Sequence, residues 1–326
     1  MTEAPDHATR RRYFVRHRTT YTYAGQVQEC FERGFLSPRA TPHQVVLAHA
    51  AHVAPEPLHH SQHVDRFGNA SHYFEVHQPH REFEVVKEAV VDVERPAPDL
   101  DRLDQWTLAS ARRALAGNPT HRLARAMFGL PSRKVQPPQR LAGFTDALWP
   151  GDVPFGAALT ALHTAIHREF RYVPGATTVG TTVDELLDLR AGVCQDFAHL
   201  AIAVLRSVGI PARYVSGYLE TSPPPGREKL QGSDASHAWV SVLAPDGQWV
   251  DLDPTNDQFA DSRYVVTAWG RDYHDVSPLR GILVGATGGS ALSVGVDVVR
   301  LPGSELPAFS TLAHQLVPAL SGLSPA

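Results

Sequence analysis

The sequence predicts an α+β protein: a β-sandwich first, then helices, then a second unit that combines a helix with a hairpin. Three observations predict it. Residues 12–94 carry strand-like alternation with no helix-period segment among them. The texture changes at "ERPAPD", where Pro96 and Pro98 mark a linker. Beyond it, segments with apolar steps of three and four alternate with a short strand pair.

The first element, "YFVRHRTTYTY", is rich in β-branched and aromatic residues, and "VVLAHAAHV", "SHYFEVH" and "FEVVKEAVVDV" continue the pattern. The turn signals "SPRATP", "APEP" and "DRFGN" separate them. Several short strands so spaced predict a sandwich over residues 12–95. In residues 96–150, Leu100, Leu103, Trp106, Leu108 and Ala111 share one broad helical face, and "LPSRKVQPPQR" is a loop. A clearer helix follows in "GAALTALHTAIHREF", with Leu159, Leu162, Ile166 and Phe170 on one side. Residues 151–301 form the second unit, and residues 302–326 read as an appended tail with one weak helix.

Composition narrows the function. The chain of 326 residues has a formal net charge of −4, which offers no electrostatic case for nucleic acid or an anionic membrane. No stretch is apolar and long enough to span a bilayer, and the first residues lack a secretory core. The two cysteines, Cys30 and Cys194, make no disulfide framework, so a reducing cytoplasm is the expected compartment.

Cys194 follows Gly192 at the start of a predicted helix. Cys194, Phe197, Ala201, Val204, Leu205 and Val208 trace one helical face, which Gly209 and Pro211 end. A cysteine there is either a packed core residue or a nucleophile, since the helix start favours a thiolate. A thiolate needs a base, and the base an orienting group. The downstream segment "HAWVSVLAPDGQWVDLDPTND" reads as a hairpin. Its "PDG" matches a three-residue loop with a left-handed Gly247, which pairs Ala244 with Gln248. Trp239 then faces Asp253, and His237 is the diagonal neighbour of Asp253 on the same face. The Cys194 helix is expected to lie over that face.

With these residues in view, "GVCQDFAHL", "GIPARYVSGYL", "DASHAW" and "DLDPTN" resemble, in order, the motifs of the bacterial transglutaminase-like superfamily, and "GRDYHDVSPLRG" its later motif. "HRTTYTY", "LSPRATPHQ" and "DRFGN" resemble the β-rich domain that often precedes the core in these bacterial proteins. The resemblance implies a papain-like core, a cysteine-bearing helix packed on an antiparallel sheet. It implies Cys194 as nucleophile, His237 as general base and Asp253 as orienting carboxylate. The implied chemistry is acyl transfer on an amide or peptide bond through a thioester, chiefly hydrolysis of a protein or peptide substrate. The alternatives are transfer from glutamine to an amine, and a non-catalytic binding protein on the same fold. Gln195, Tyr214, Tyr218 and Trp239 are candidate substrate-binding residues, and Asp196 either lines the site or caps backbone groups.

No cofactor or metal is expected: no calcium-loop pattern is present, and the histidine tract "LAHAAHVAPEPLHHSQHV" matches no zinc spacing. "HTAIH" lacks the glutamate of a zinc protease helix and reads as a helix flank. Cys30 reads as structural.

Overall fold

The computed structural model describes residues 10–221 and 236–302. Strands β1 (Arg11–Val27), β2 (Glu29–Gly34), β3 (Gln44–Ala54), β4 (His59–Val64), β5 (Ala70–Val76) and β6 (His80–Val93) come first. Helices α1 (Leu100–Leu103), α2 (Leu108–Gly117), α3 (Arg122–Phe128), α4 (Leu141–Leu148) and α5 (Phe155–Glu169) follow. The core continues with β7 (Arg171–Tyr172), α6 (Val183–Leu189), β8 (Ala191–Gly192), α7 (Cys194–Ser207) and β9 (Ala212–Leu219). The chain ends its described part with β10 (Ser236–Leu243), β11 (Trp249–Asp253), β12 (Gln258–Phe259), β13 (Tyr264–Gly270), β14 (Leu279–Val284) and β15 (Ser290–Arg300).

The sandwich forms from two four-stranded sheets, in the orders β15-β1-β6-β3 and β14-β2-β5-β4. Two of its strands therefore come from the far end of the chain. Tyr13 pairs with Arg300, and Gly34 with Leu279. The sequence reading places residues 279–301 in the second unit; the structure returns them to the first. The physical reason lies in the sheets. Without β14 and β15, β1 and β2 would each present an unpaired row of backbone groups. The tail's weak helix lies outside the described residues.

The single helix read across residues 100–117 is broken into two. Thr107 caps α2, its Oγ1 accepting from Ser110 N–H while Ser110 Oγ accepts from Thr107 N–H. Such a cap fixes a fresh helix start at Leu108, whose own N–H bonds Val153.

The core sheet has the order β12-β11-β10-β9-β13 and is antiparallel throughout. Helix α7 packs on it through strands β9 and β10, in one apolar cluster that joins the helix to Ala238, Val240, Val242 and Leu252. It also meets α4, α5 and α6, so every residue from Asp196 to Arg206 is buried. A helix covered on all sides has lost the one-sided pattern from which it was read. Its buried Arg206 is satisfied by the carbonyls of Phe128, Ala212 and Arg271 and by Ser132 Oγ.

The two units meet along β13, an edge strand of the core sheet. The Gln44 amide donates to Val266 C=O and accepts from Val266 N–H, both at 2.8 Å. Asn69 does the same for Trp269, at 2.8 and 3.0 Å. These buried amides stand in for a neighbouring strand.

Candidate active site

The hairpin sets the site. Gly247 has φ +89°, Ala244 N–H bonds Gln248 C=O at 2.8 Å, and Val240 pairs with Leu252. This is the register that the three-residue loop dictates. The odd-numbered positions of β10 and β11 share a face, and His237 and Asp253 meet there. Nε2 of His237 lies 2.7 Å from Oδ2 of Asp253 and donates to it.

Helix α7, however, packs on the even-numbered face, not over His237 as the sequence reading expects. Apolar Ala238, Val240 and Val242 hold it there, while Trp239 occupies the other face. The three residues meet at the end of the sheet instead. Cys194 is the first residue of α7, His237 the second of β10 and Asp253 the last of β11. The Cys194 side chain stands close enough to the His237 ring to help raise its pKa. Because Nε2 is taken by Asp253, Nδ1 is the nitrogen left for the sulfur.

Gly192 explains its place behind the cysteine. A Cβ there would stand 2.8 Å from Asp196 Oδ2 and 2.9 Å from Leu186 Cδ1. Asp196 comes that close because its Oδ2 accepts from Val193 N–H at 2.9 Å and from Thr177 Oγ1 at 2.6 Å. Of its two readings, the structure supports the cap. The parallel pair β7–β8 leads the chain straight into α7, with Val173 N–H bonded to Gly192 C=O at 2.9 Å.

Asp253 is fully buried yet richly bonded. Oδ2 also accepts from Asn256 Nδ2 at 2.6 Å and Tyr264 OH at 2.7 Å, and Oδ1 from the backbone N–H of Thr255 and Asn256. Burial alone would raise its pKa, but His237 and these donors hold the carboxyl below its ordinary range. Burial likewise pushes the His237 pKa down, and the Asp253 charge and hydrogen bond, with those of Cys194, outweigh it and raise the pKa to about 10.

Asp251 shares the face but serves the scaffold. It pairs with Arg95 and accepts from Trp239 Nε1 at 3.2 Å. The histidines of "HTAIH" also find a use. His163 Nδ1 lies 2.7 Å from Asp257 Oδ1, and His167 Nδ1 donates to Thr255 C=O at 2.9 Å. Their i,i+4 spacing clamps the turn that follows Asp253.

Two candidate substrate residues are misplaced by the sequence reading. Trp239 is fully buried against Tyr264, with ring centroids 5.3 Å apart. Tyr218 is buried toward the sandwich, its OH 3.0 Å from His17 Nδ1. Alternation along a strand does not say which face a neighbouring domain covers. Gln195 is half-buried beside Cys194. Tyr214 is buried against His199, at 5.2 Å between ring centroids; burial first, and then the nearby Cys194, raises its phenol well above the ordinary value. Sequence reasoning missed Tyr264, which no motif marks. It also missed Tyr172, whose ring packs 6.4 Å from Phe197 and is half exposed near Cys194.

Comparison with known proteins agrees with this architecture. Residues 148–254 match the family model of the transglutaminase-like superfamily, and residues 13–92 that of the bacterial transglutaminase-like N-terminal region. An uncharacterized protein of Mycobacterium tuberculosis is 42% identical over 308 residues, covering 91% of this chain and 95% of its own. The chain belongs to the transglutaminase-like superfamily.

A Mycobacterium leprae relative is 33% identical over 290 residues, 88% of this chain and 98% of its own. The protein-glutamine gamma-glutamyltransferase of Pseudomonas aeruginosa is 39% identical over 92 residues, which is 27% of this chain and 14% of that protein. A solved structure from Cytophaga hutchinsonii, named there as a candidate cysteine protease, superposes with a TM-score of 0.72 at 21% identity, over 92% of this chain and 93% of its own. That likeness shows the shared fold. Among the described residues no helix is long and apolar enough to cross a membrane, and no group of three or more His, Cys, Asp or Glu is arranged to hold a metal ion.

Proposed function

We propose that this protein is a cysteine-dependent acyl-transfer enzyme that cleaves an amide or peptide bond through a thioester on Cys194. The observation that carries the reading is the His237 ring held at 2.7 Å by the buried Asp253, beside Cys194 at the start of α7. A ring held as an imidazolium beside a sulfur favours the thiolate–imidazolium pair. The thiolate attacks the amide carbonyl. The first backbone N–H groups of α7 have no acceptor within the helix and receive the developing oxyanion. Nδ1 of His237 gives its proton to the leaving amine, and Asp253 holds the ring and balances its charge throughout. Water then enters, and His237 takes its proton as the thioester opens.

Hydrolysis is favoured, with a protein or peptide as substrate, and the cytoplasm, where a thiol stays reduced, as the working compartment. A second reading, transfer to an amine, is favoured by the match to the Pseudomonas glutamyltransferase over 92 residues. The test is a glutamine peptide with and without a labelled amine. Release of ammonia and free acid, lost in Cys194→Ala, supports hydrolysis; label in the peptide supports amine transfer. Failure of Cys194 to form an acyl adduct with any acyl donor or electrophilic probe would leave a binding protein on an enzyme's fold.

A further inference from the structure

The histidine tract of the sandwich takes no part in that chemistry, yet it is organised. Lys87 on β6 points between the two sheets and is only 3% exposed. Its Nζ donates to Nδ1 of His49 on β3, at 3.1 Å. From the other sheet, Nε2 of His60 lies 3.1 Å from Nδ1 of His72, and Nε2 of His72 lies 2.6 Å from Ser37 Oγ. The His60 and His72 rings stack with centroids 5.4 Å apart. His59 and His63, also on β4, add to the field on these two rings. The charged neighbours that act on His49, His60 and His72 are all basic, and burial is the one influence on Lys87, which draws its pKa down to about 8.

A buried ammonium is ordinarily paired with a carboxylate, because desolvating it alone is costly. Here the described residues offer only imidazoles. β3 and β4 are the outer strands of their sheets, so the cluster lines the open side of the sandwich, with His49 and His60 exposed and Lys87 and His72 behind them. Leu36, Phe74 and Val85 form an apolar wall against Lys87 and His72.

We propose that this open edge is a binding site for a small monocarboxylate, held by the Lys87 ammonium and by ring N–H groups of His49 and His60. Proton placement supports it. Nδ1 of His49 accepts from Lys87, so its Nε2 carries hydrogen and is a donor. When Ser37 donates to His72, and His72 Nδ1–H to His60 Nε2, the hydrogen of His60 falls on Nδ1, a second donor. One cation calls for one negative charge.

The test uses the full chain at pH 7, titrated separately with acetate and inorganic phosphate and followed by histidine ring 15N shifts and calorimetry. Saturable acetate binding in the roughly millimolar range is expected, with the His49 and His60 signals moving. Lys87→Met should weaken it by roughly tenfold or more, the scale of one charged hydrogen bond. Should that variant unfold, His60→Gln, at an exposed position, is expected to weaken binding severalfold on its own. Absence of saturable acetate shifts, equal affinity in a folded Lys87→Met or in His60→Gln, or binding of phosphate in place of acetate would overturn the proposal. None of these readouts depends on Cys194.

Discussion

Replacing Asp253 by Asn probes the site at its most constrained atom. The carboxylate accepts from three side-chain donors on Oδ2 and two backbone N–H groups on Oδ1, in a pocket closed to solvent. An amide has one accepting oxygen. Turned one way, its NH2 confronts His237, Asn256 and Tyr264; turned the other, it confronts the two backbone groups. Each buried donor left without an acceptor costs about 1–3 kcal/mol, so a loss of roughly 2–4 kcal/mol in stability is expected. His237 can relieve the first conflict only by accepting at Nε2, which puts its proton on Nδ1 and leaves the sulfur with no base. Turnover should therefore fall by roughly 10³–10⁴, the scale of the same change in serine-protease triads.

The pH profile separates this from simple destabilisation. The His237 pKa is raised to about 10, with Asp253 the leading group that raises it against burial. A raised histidine pKa contributes stability that is complete below its unfolded value of roughly 6.5. That contribution is lost as the pH climbs toward the folded value. In the wild type the alkaline limb of activity, an apparent value of the Cys–His pair, should lie at about 10. In Asp253→Asn burial goes unopposed by that charge, and the limb should move down by several pH units. The assay is the pH dependence of single-turnover acylation, beside thermal unfolding of the same samples. An unmoved alkaline limb in a folded variant would refute the assigned roles.

Thiol labelling gives a simpler contrast. Cys30 is fully buried, and burial, then Glu32, pushes its thiol up to about 12, so iodoacetamide at pH 6 should modify Cys194 well before it, as mass spectrometry can follow. Gly192→Ala should lower stability by about 1–3 kcal/mol through overpacking against Asp196 and Leu186, read as a fall in Tm. Asp251→Asn should cost stability, because it removes the partner of Arg95, but leave the alkaline limb in place; the reverse pattern between Asp251 and Asp253 would exchange their roles. Gln44→Ala leaves the N–H and C=O of Val266 without their side-chain partner, and about 2 kcal/mol should be lost in denaturant unfolding.

The site was legible because its parts are fixed by local rules. A three-residue loop closed by Gly247 sets a register, and a period of two then puts His237 and Asp253 on one face. What stayed hidden was decided by packing between distant segments. The sequence shows that Trp239 and His237 share a face, but not that Val215, Tyr264 and Val266 cover that face around Trp239. Tyr218 looked like a groove residue until the sandwich supplied His17. The same holds for β14 and β15, whose partners lie at the opposite end of the chain.

That return of the chain makes residues between β6 and β14 an insertion within the sandwich, and it bears on the order of events during synthesis. β1 and β2 leave the ribosome long before their outer neighbours exist. If the intervening chain were loose, bringing β15 back to β1 would carry the closure entropy of a very long loop. A folded core shortens that loop to its anchored ends. Glu94 is tied to His43 and Arg95 to Ser262 at one end, and Pro278 to Phe35 at the other. On this argument the transglutaminase-like core is the template on which the sandwich is finished. A chain cut after Pro278 would retain every residue of the Cys194 site and still leave the outer edges of β1 and β2 open to pairing with other chains.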